Sequence, residues 1–231
     1  DWKVRKAAYE ALTKSFSIAE PGDAVLDEFA GNLKAMVSDS NASCLDAALE
    51  ALLAWADVCP RAGSRAEQLA PPAVAKGFSG RPGTVQRAED ALLKLIEVDT
   101  PDAVVQALLG GLQDKKPKVP PACVSTLVKA VQMFGARCMP LKDIKAALPG
   151  MLSHKVVSVR QQGLALAAEL IRWCGLPFLQ SVIDELRSAQ QSELDALVQA
   201  KEAEGGPVKP TVYLRKDRPK VAPASAGGGA G

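Results

Sequence analysis

Small and apolar side chains return every three or four residues through most of this chain, the spacing that gathers them on one face of an α-helix and not on alternate faces of a strand. The pattern is clearest in five stretches that can be laid over one another: "DWKVRKAAYEAL", "DSNASCLDAALEALL", "GRPGTVQRAEDALL", "DKKPKVPPACVSTL" and "SHKVVSVRQQGLALA". With Val4 as reference, the equivalent positions are Cys44, Val85, Val119 and Val159, at steps of 40, 41, 34 and 40 residues. Eight residues beyond each stands Leu12, Leu52, Leu93, Leu127 or Ala167. Each stretch predicts a helix, and the steps predict a repeat.

A shorter amphipathic run follows each of them: "PGDAVLDEFAGNLKAMV", "SRAEQLAPPAVAKGF", "PDAVVQALLGGL", "LKDIKAALPGML" and "LPFLQSVIDELRSA". Several open on Pro, whose missing N–H is harmless in the first turn, with Asp or Ser beside it as a cap. A last run, "QSELDALVQAKEAE", has no evident partner and closes the apolar end of the stack. Paired helices in units of this length predict an all-α HEAT-repeat solenoid of about five helix pairs plus a closing helix.

Composition sharpens this picture. Of 231 residues, 48% are apolar but only 4% aromatic, so the core is built from Ala, Leu and Val at close helix contacts. No run reaches the roughly 18 apolar residues that a membrane span needs, and the N-terminus has no signal-peptide pattern. The chain therefore reads as a soluble cytosolic protein with no membrane partner. It begins at Asp1 and ends in "ASAGGGAG", which reads as a fragment of a larger multi-domain protein. Residues 205 to 231 carry five bases (Lys209, Arg215, Lys216, Arg218, Lys220) and one acid (Asp217); removing that +4 from the formal +2 leaves −2 on residues 1 to 204. A body so nearly neutral lacks the broad basic face that nucleic acid needs. The expected division is a helical domain over 1 to 204 and a basic, Gly/Pro-rich linker or tail over 205 to 231. Residues 205 to 214 are expected to fold back on the last helix through Val212, Tyr213 and Leu214.

Catalytic and metal chemistry find no footing. Cys44, Cys59, Cys123, Cys138 and Cys174 are scattered in apolar stretches without a C-x-x-C, and read as buried reduced thiols. His154, the only histidine, has no carboxylate or thiol set around it, and no nucleophile triad or nucleotide-binding glycine pattern occurs. A non-enzyme without a cofactor is expected. Trp55 and Trp173 lie inside apolar helices and read as core.

The turns that enter the first helices are the unusual feature. In order they present Trp2-Lys3-Val4-Arg5, Asp39-Ser40-Asn41-Ala42, Gly80 to Thr84, Asp114-Lys115-Lys116-Pro117-Lys118, and His154 to Val157 with Arg160 beyond. Stacked helices would set them in one row about 10 Å apart. A Trp among bases at the open end of a helix is the residue type that anchors protein interfaces.

In these turns the sequence resembles the TOG domains of microtubule polymerases, of the type found in first position. The marks are the Trp of "DWKVRKAAYEAL", the "SDSNA" second turn, the "LQDKKPKV" fourth turn, "SHKVVSVRQQGLALAAELIRW" in the fifth, and "KPTVYLRKDRPK" after the last helix. The third turn, "GRPGTVQ", and the prolines Pro120 and Pro121 depart from the pattern. The resemblance implies a flat paddle whose turn edge captures the soluble, curved αβ-tubulin heterodimer, with localisation to the cytoplasm and cytoskeleton: microtubules, spindle and microtubule-organising centre. It implies that Trp2 packs on β-tubulin beside Lys3 and Arg5 and that Asn41, Ala42 and Arg81 follow. Lys115, Lys116 and Lys118 would lie near the subunit junction, with Lys155 and Arg160 on α-tubulin. The alternatives are a TOG-like domain of a stabilising or rescue factor, or a HEAT scaffold for another acidic protein.

Overall fold

The computed structural model describes residues 1–205 and 208–218, and every regular element among them is helical. In chain order these are α1 (Trp2–Ile18), α2 (Ala24–Glu28), α3 (Leu33–Met36), α4 (Ala42–Val58), α5 (Ala66–Pro72) and α6 (Pro82–Val98). There follow α7 (Asp102–Gly111), α8 (Val119–Phe134), α9 (Leu141–Leu152), α10 (Val157–Cys174), α11 (Gln180–Ile183) and α12 (Ser188–Ala203). The long helices α1, α4, α6, α8, α10 and α12 each pack on the next in one layer, while α3, α5, α7 and α9 succeed one another in a second. The fold is the HEAT-like paddle, and the closing helix is a sixth member of the long layer, seated on α10.

Local chemistry sets the helix ends. Asp1 Oδ1 accepts the Lys3 N–H at 2.8 Å, and Asn41 Oδ1 accepts those of Ser43 and Cys44 at 3.0 and 3.1 Å. Pro82 starts α6, and Pro120 with Pro121 sits in the first turn of α8, where no N–H is needed. Gly135 ends α8 at φ +81; a Cβ there would lie 2.8 Å from the Trp173 ring, so only glycine fits.

The second layer is more broken than the amphipathic runs predict. "PGDAVLDEFAGNLKAMV" forms the two short pieces α2 and α3, because Gly31 and Asn32 sit at the break and are poor helix residues. Pro71 and Pro72 deny α5 two N–H groups, and the chain continues as a π-type turn over Ala73–Gly77. "LPFLQSVIDELRSA" gives a 3₁₀ turn and the four-residue α11, and Ser188 already belongs to α12.

One contiguous core runs between the layers through Phe16, Leu49, Leu52, Trp55, Leu92, Ile96, Leu127, Leu148, Leu166 and Leu170. Trp55 is buried, its indole N–H donating to the Leu26 carbonyl at 2.8 Å. Trp173 is only half-buried, its N–H on Glu169 Oε1 at 3.1 Å, so it borders the core and does not fill it. Val4 is 68% exposed although Cys44, Val119 and Val159 at the equivalent positions are buried, because α1 has only α4 beside it in its layer. Cys44, Cys59 and Cys123 are buried and free, whereas Cys138 and Cys174 are half-buried. Burial pushes the Cys123 thiol up to about 12 and raises those of Cys59, Cys138 and Cys174, which holds all four as thiols at neutral pH.

Polar pairs spaced by one repeat tie the long helices in register. Arg87 meets Glu50, Lys94 meets Asp57 and Lys129 meets Glu89. Glu169, 1% exposed, joins three helices: it accepts from Gln132 of α8 at 3.3 Å, from Trp173 of its own α10, and from Lys201 of α12 at 3.1 Å.

Val208 still lines a cavity with Val198 and Lys201 of α12, but residues 211–218, with Val212 and Leu214 among them, lie against other helices. They run back along the edge where the long helices end. Thr211 and Val212 donate N–H groups to the Met133 carbonyl, Leu214 is buried, and Arg215 donates to the Ala56, Asp57 and Cys59 carbonyls at 3.1, 2.7 and 3.0 Å. Arg218 pairs with Glu97 of α6. The Ala56 and Asp57 carbonyls are acceptors that the C-terminal end of α4 leaves free, and that of Cys59, the residue after it, also takes the Ala62 N–H, so one guanidinium supplies the donors the helix end lacks. Of the linker or tail expected over 205 to 231, residues 206 and 207 and residues 219 to 231, Lys220 among them, lie outside the described residues.

Candidate functional site

The starts of the long helices line the opposite edge, and side chains there reach from one turn to the next. Trp2 is the first residue of α1 and 42% exposed, with the Lys3 ammonium 6.0 Å from its ring centroid. Its carbonyl accepts from the Cys44 thiol at 3.1 Å, which holds the first turn against the second. The aromatic surface is therefore open while the backbone under it is fixed.

Arg5 does not stand free. Its guanidinium makes a two-point contact with Asp39 of the second turn, Nε to Oδ2 at 2.7 Å and Nη2 to Oδ1 at 3.1 Å. Tyr9 and the Asn41 N–H donate to the same carboxylate, whose side chain is 5% exposed. The Arg5 guanidinium holds the Asp39 carboxyl below the usual carboxylate range, against burial that would raise it. Asn41 is committed as the α4 cap, and Ala42, the first residue of α4, is exposed beside it.

The third turn repeats the device. Arg81 and Thr84 both donate to Asp46 of α4. Burial raises the Asp46 carboxyl, and the Thr84 and Arg81 hydrogen bonds outweigh it, so the net direction is down. In the fourth turn Lys116 reaches the Ala75 carbonyl at 3.1 Å and Ser79 Oγ at 3.3 Å, and Lys118 the Gly80 carbonyl at 3.5 Å. Lys115 is exposed and has no hydrogen bond or ion pair among the described residues. In the fifth, Lys155 is exposed, while Arg160 Nη1 donates to the His154 and Lys155 carbonyls at 2.8 and 3.2 Å and shapes the turn.

The expected site residues thus divide by what their side chains do in the free protein. Trp2, Lys3, Ala42, Lys115 and Lys155 face solvent; Arg5, Asn41, Arg81, Lys116, Lys118 and Arg160 are engaged in setting turn geometry. Two features of this edge were not assigned as contacts from the sequence. Val157, the first residue of α10, is 55% exposed next to Lys155, an apolar counterpart of Trp2. A sixth turn, Glu185 to Ser188, enters α12; the expected fifth second helix was drawn straight through it.

Among the described residues no three His, Cys, Asp or Glu side chains gather as a metal set, and no helix is long and apolar enough to cross a membrane. What the edge offers is a shaped, basic and partly aromatic surface.

Known proteins place this architecture. The chain is 32% identical over 235 residues to Protein MOR1 of Oryza sativa subsp. japonica, a match covering 98% of the chain and 12% of the rice protein. It is 29% identical over 229 residues to the spindle pole body component alp14 of Schizosaccharomyces pombe, covering 96% of the chain and 28% of that protein. The chain thus spans a small part of the length of these relatives. Among solved structures, a chain from work on tubulin recruitment and assembly by microtubule polymerases with Tumor Overexpressed Gene domain arrays superposes with a TM-score of 0.81 at 26% identity. That match covers 93% of this chain and 46% of the other. The family model described as XMAP215/Dis1/CLASP, TOG domain, matches residues 1–198, and the chain belongs to that family.

Proposed function

We propose that this domain captures the curved, unpolymerised αβ-tubulin heterodimer along the edge of helix starts, as the first-position TOG module of a microtubule polymerase. The observation that carries the reading is the open Trp2 ring at one end of a row of turns pinned to one another. A pinned row is preorganised, so little ordering entropy is lost on binding. A rigid edge also fits one curvature of its partner better than another, and such differential affinity would let the domain hold free subunits and release them as the lattice straightens. In this reading Trp2, Lys3 and Ala42 touch the partner directly, with Lys115 midway and Lys155 at the far end; Arg5, Asn41, Arg81, Lys116, Lys118 and Arg160 hold the turns and present their remaining donors. Residues 1–204 are the binding body and the tail is an accessory to it. The reading requires neither catalysis nor a cofactor.

Binding of purified tubulin to Trp2→Ala, Arg160→Ala and the double variant tests this. Trp2→Ala should weaken binding by about 2 kcal/mol with an unchanged melt. Four helix spacings put the two residues about 40 Å apart, so their losses should add within roughly 0.5 kcal/mol. Full binding by Trp2→Ala would remove the basis of the proposal.

A further inference from the structure

The cations of the edge are not equally committed. Arg5, Arg81, Lys116 and Lys118 each have an acceptor within the protein. Lys3 and Lys115 stand singly without one among the described residues, whereas at the fifth and sixth turns several uncommitted groups gather. Among the described residues the side chains of Lys155, Glu185 and Arg187 make no hydrogen bond or ion pair, and Arg160 uses only Nη1. These four groups surround a cavity of about 680 Å³ between the two turns.

The cavity has a built frame. Leu152 and Val182, both buried, contribute apolar walls, and Gln190 Nε2 donates to the Leu152 carbonyl at 2.9 Å, which fixes the start of α12 against the end of α9. The amide groups of the first turn of α12 have no intrahelical partners and no side chain caps them, and Ala189 and Gln190 of that turn line the cavity. His154 Nδ1 accepts the Val156 N–H at 3.1 Å, which leaves Nε2 as the ring's donor. Two guanidinium groups, an ammonium and a helix start converge on one space, with a single acid at its lip.

We propose that this cavity is a carboxylate-binding subsite that carries the edge past the fifth turn, with Arg187 as a contact that reasoning from the five turns omits. Its occupant is an Asp or Glu side chain on the tubulin subunit farther from Trp2, so the inference rests on the tubulin reading above. A planar carboxylate matches the guanidinium fork in two-point contact, and apolar walls lower the local dielectric and strengthen the pairing. Glu185 at the lip disfavours a doubly charged phosphate, and the near-neutral body disfavours a polyanion.

The test is a titration of purified tubulin heterodimer against wild type, Arg187→Glu, Glu185→Gln and Trp2→Ala, with a thermal melt of each. Arg187 is exposed, so its reversal should leave the melt unchanged while raising Kd at least about tenfold. Glu185→Gln should tighten binding. If both variants bind within twofold of wild type while Trp2→Ala is impaired, the subsite is refuted and the tubulin reading stands. If wild type itself does not bind, the tubulin reading fails first.

Discussion

Replacing Lys201 with Met would test how the end of the paddle is held. The Lys201 ammonium lies 3.1 Å from Glu169 Oε2, a carboxylate whose other donors are Gln132 and Trp173, with Arg172 Nη1 at 3.9 Å. Met preserves most of the Lys stem and deletes only the charge. Removing one partner of a buried pair costs about 3–5 kcal/mol, because the other charge is left uncompensated. Two features reduce that here: Lys201 is itself 23% exposed, and Arg172 still approaches the carboxylate. An expected loss of about 2 kcal/mol corresponds to a fall in Tm of about 4–8 °C for a domain of this size. Adding Glu169→Gln should recover most of it, since the amide oxygen can still accept from Trp173 and no buried charge remains; a coupling of roughly 1–2 kcal/mol is expected. Circular dichroism melts of the two single variants and the double variant measure this. If Lys201→Met melts with wild type, or the double variant loses the sum of the singles, Glu169 is not what fastens α12 to α10.

Acid should unfold the domain through specific carboxyls. Asp39 is lowered by Arg5, Asp57 by Lys94, and Asp46 by Thr84 and Arg81 against the upward push of burial. Folded values below the unfolded ones mean a contribution present in full above the ordinary carboxylate range and lost as pH falls through the folded values. Melting temperature should thus be insensitive to these groups above about pH 5 and drop below about pH 4, and Asp39→Asn should flatten that drop; an unaltered acid limb in Asp39→Asn would exclude the Arg5 pair as a contributor. At the other edge, Arg215→Ala should destabilise by about 1–2 kcal/mol through the Ala56 and Asp57 carbonyls it leaves without a donor, since Cys59 keeps the Ala62 N–H, and equal melts would show that water replaces it at no cost.

The long helices were legible because a repeat of apolar positions is a local signal counted many times: the starts at Ala42, Pro82, Val119 and Val157 follow the aligned stretches closely. The second layer was less so, since Gly31, Pro71 and Pro72 interrupt helices whose apolar pattern continues through the break. The edge was visible as a row of turns, but the pairing of Arg5 with Asp39 joins residues 34 apart and leaves no local trace. The path of residues 208–218 was illegible for a related reason. An extended segment held by backbone acceptors of other helices needs no periodicity of its own: Leu214 could be expected to pack, but nothing local says against which helices, and Arg215 looks like an ordinary linker base.

That segment also decides how the domain would carry a load. The chain leaves α12 at one end of the row yet reaches Arg218 beside Glu97 of α6, near its middle. Tension applied to the chain at residue 218 meets Arg218 first, then the three bonds of Arg215, then buried Leu214 and the Met133 bonds, before any of it arrives at α12. These fastenings stand in series, so the segment would act as a mechanical fuse, slipping contact by contact and absorbing extension while the stacked helices, and the turns on their far edge, keep their spacing.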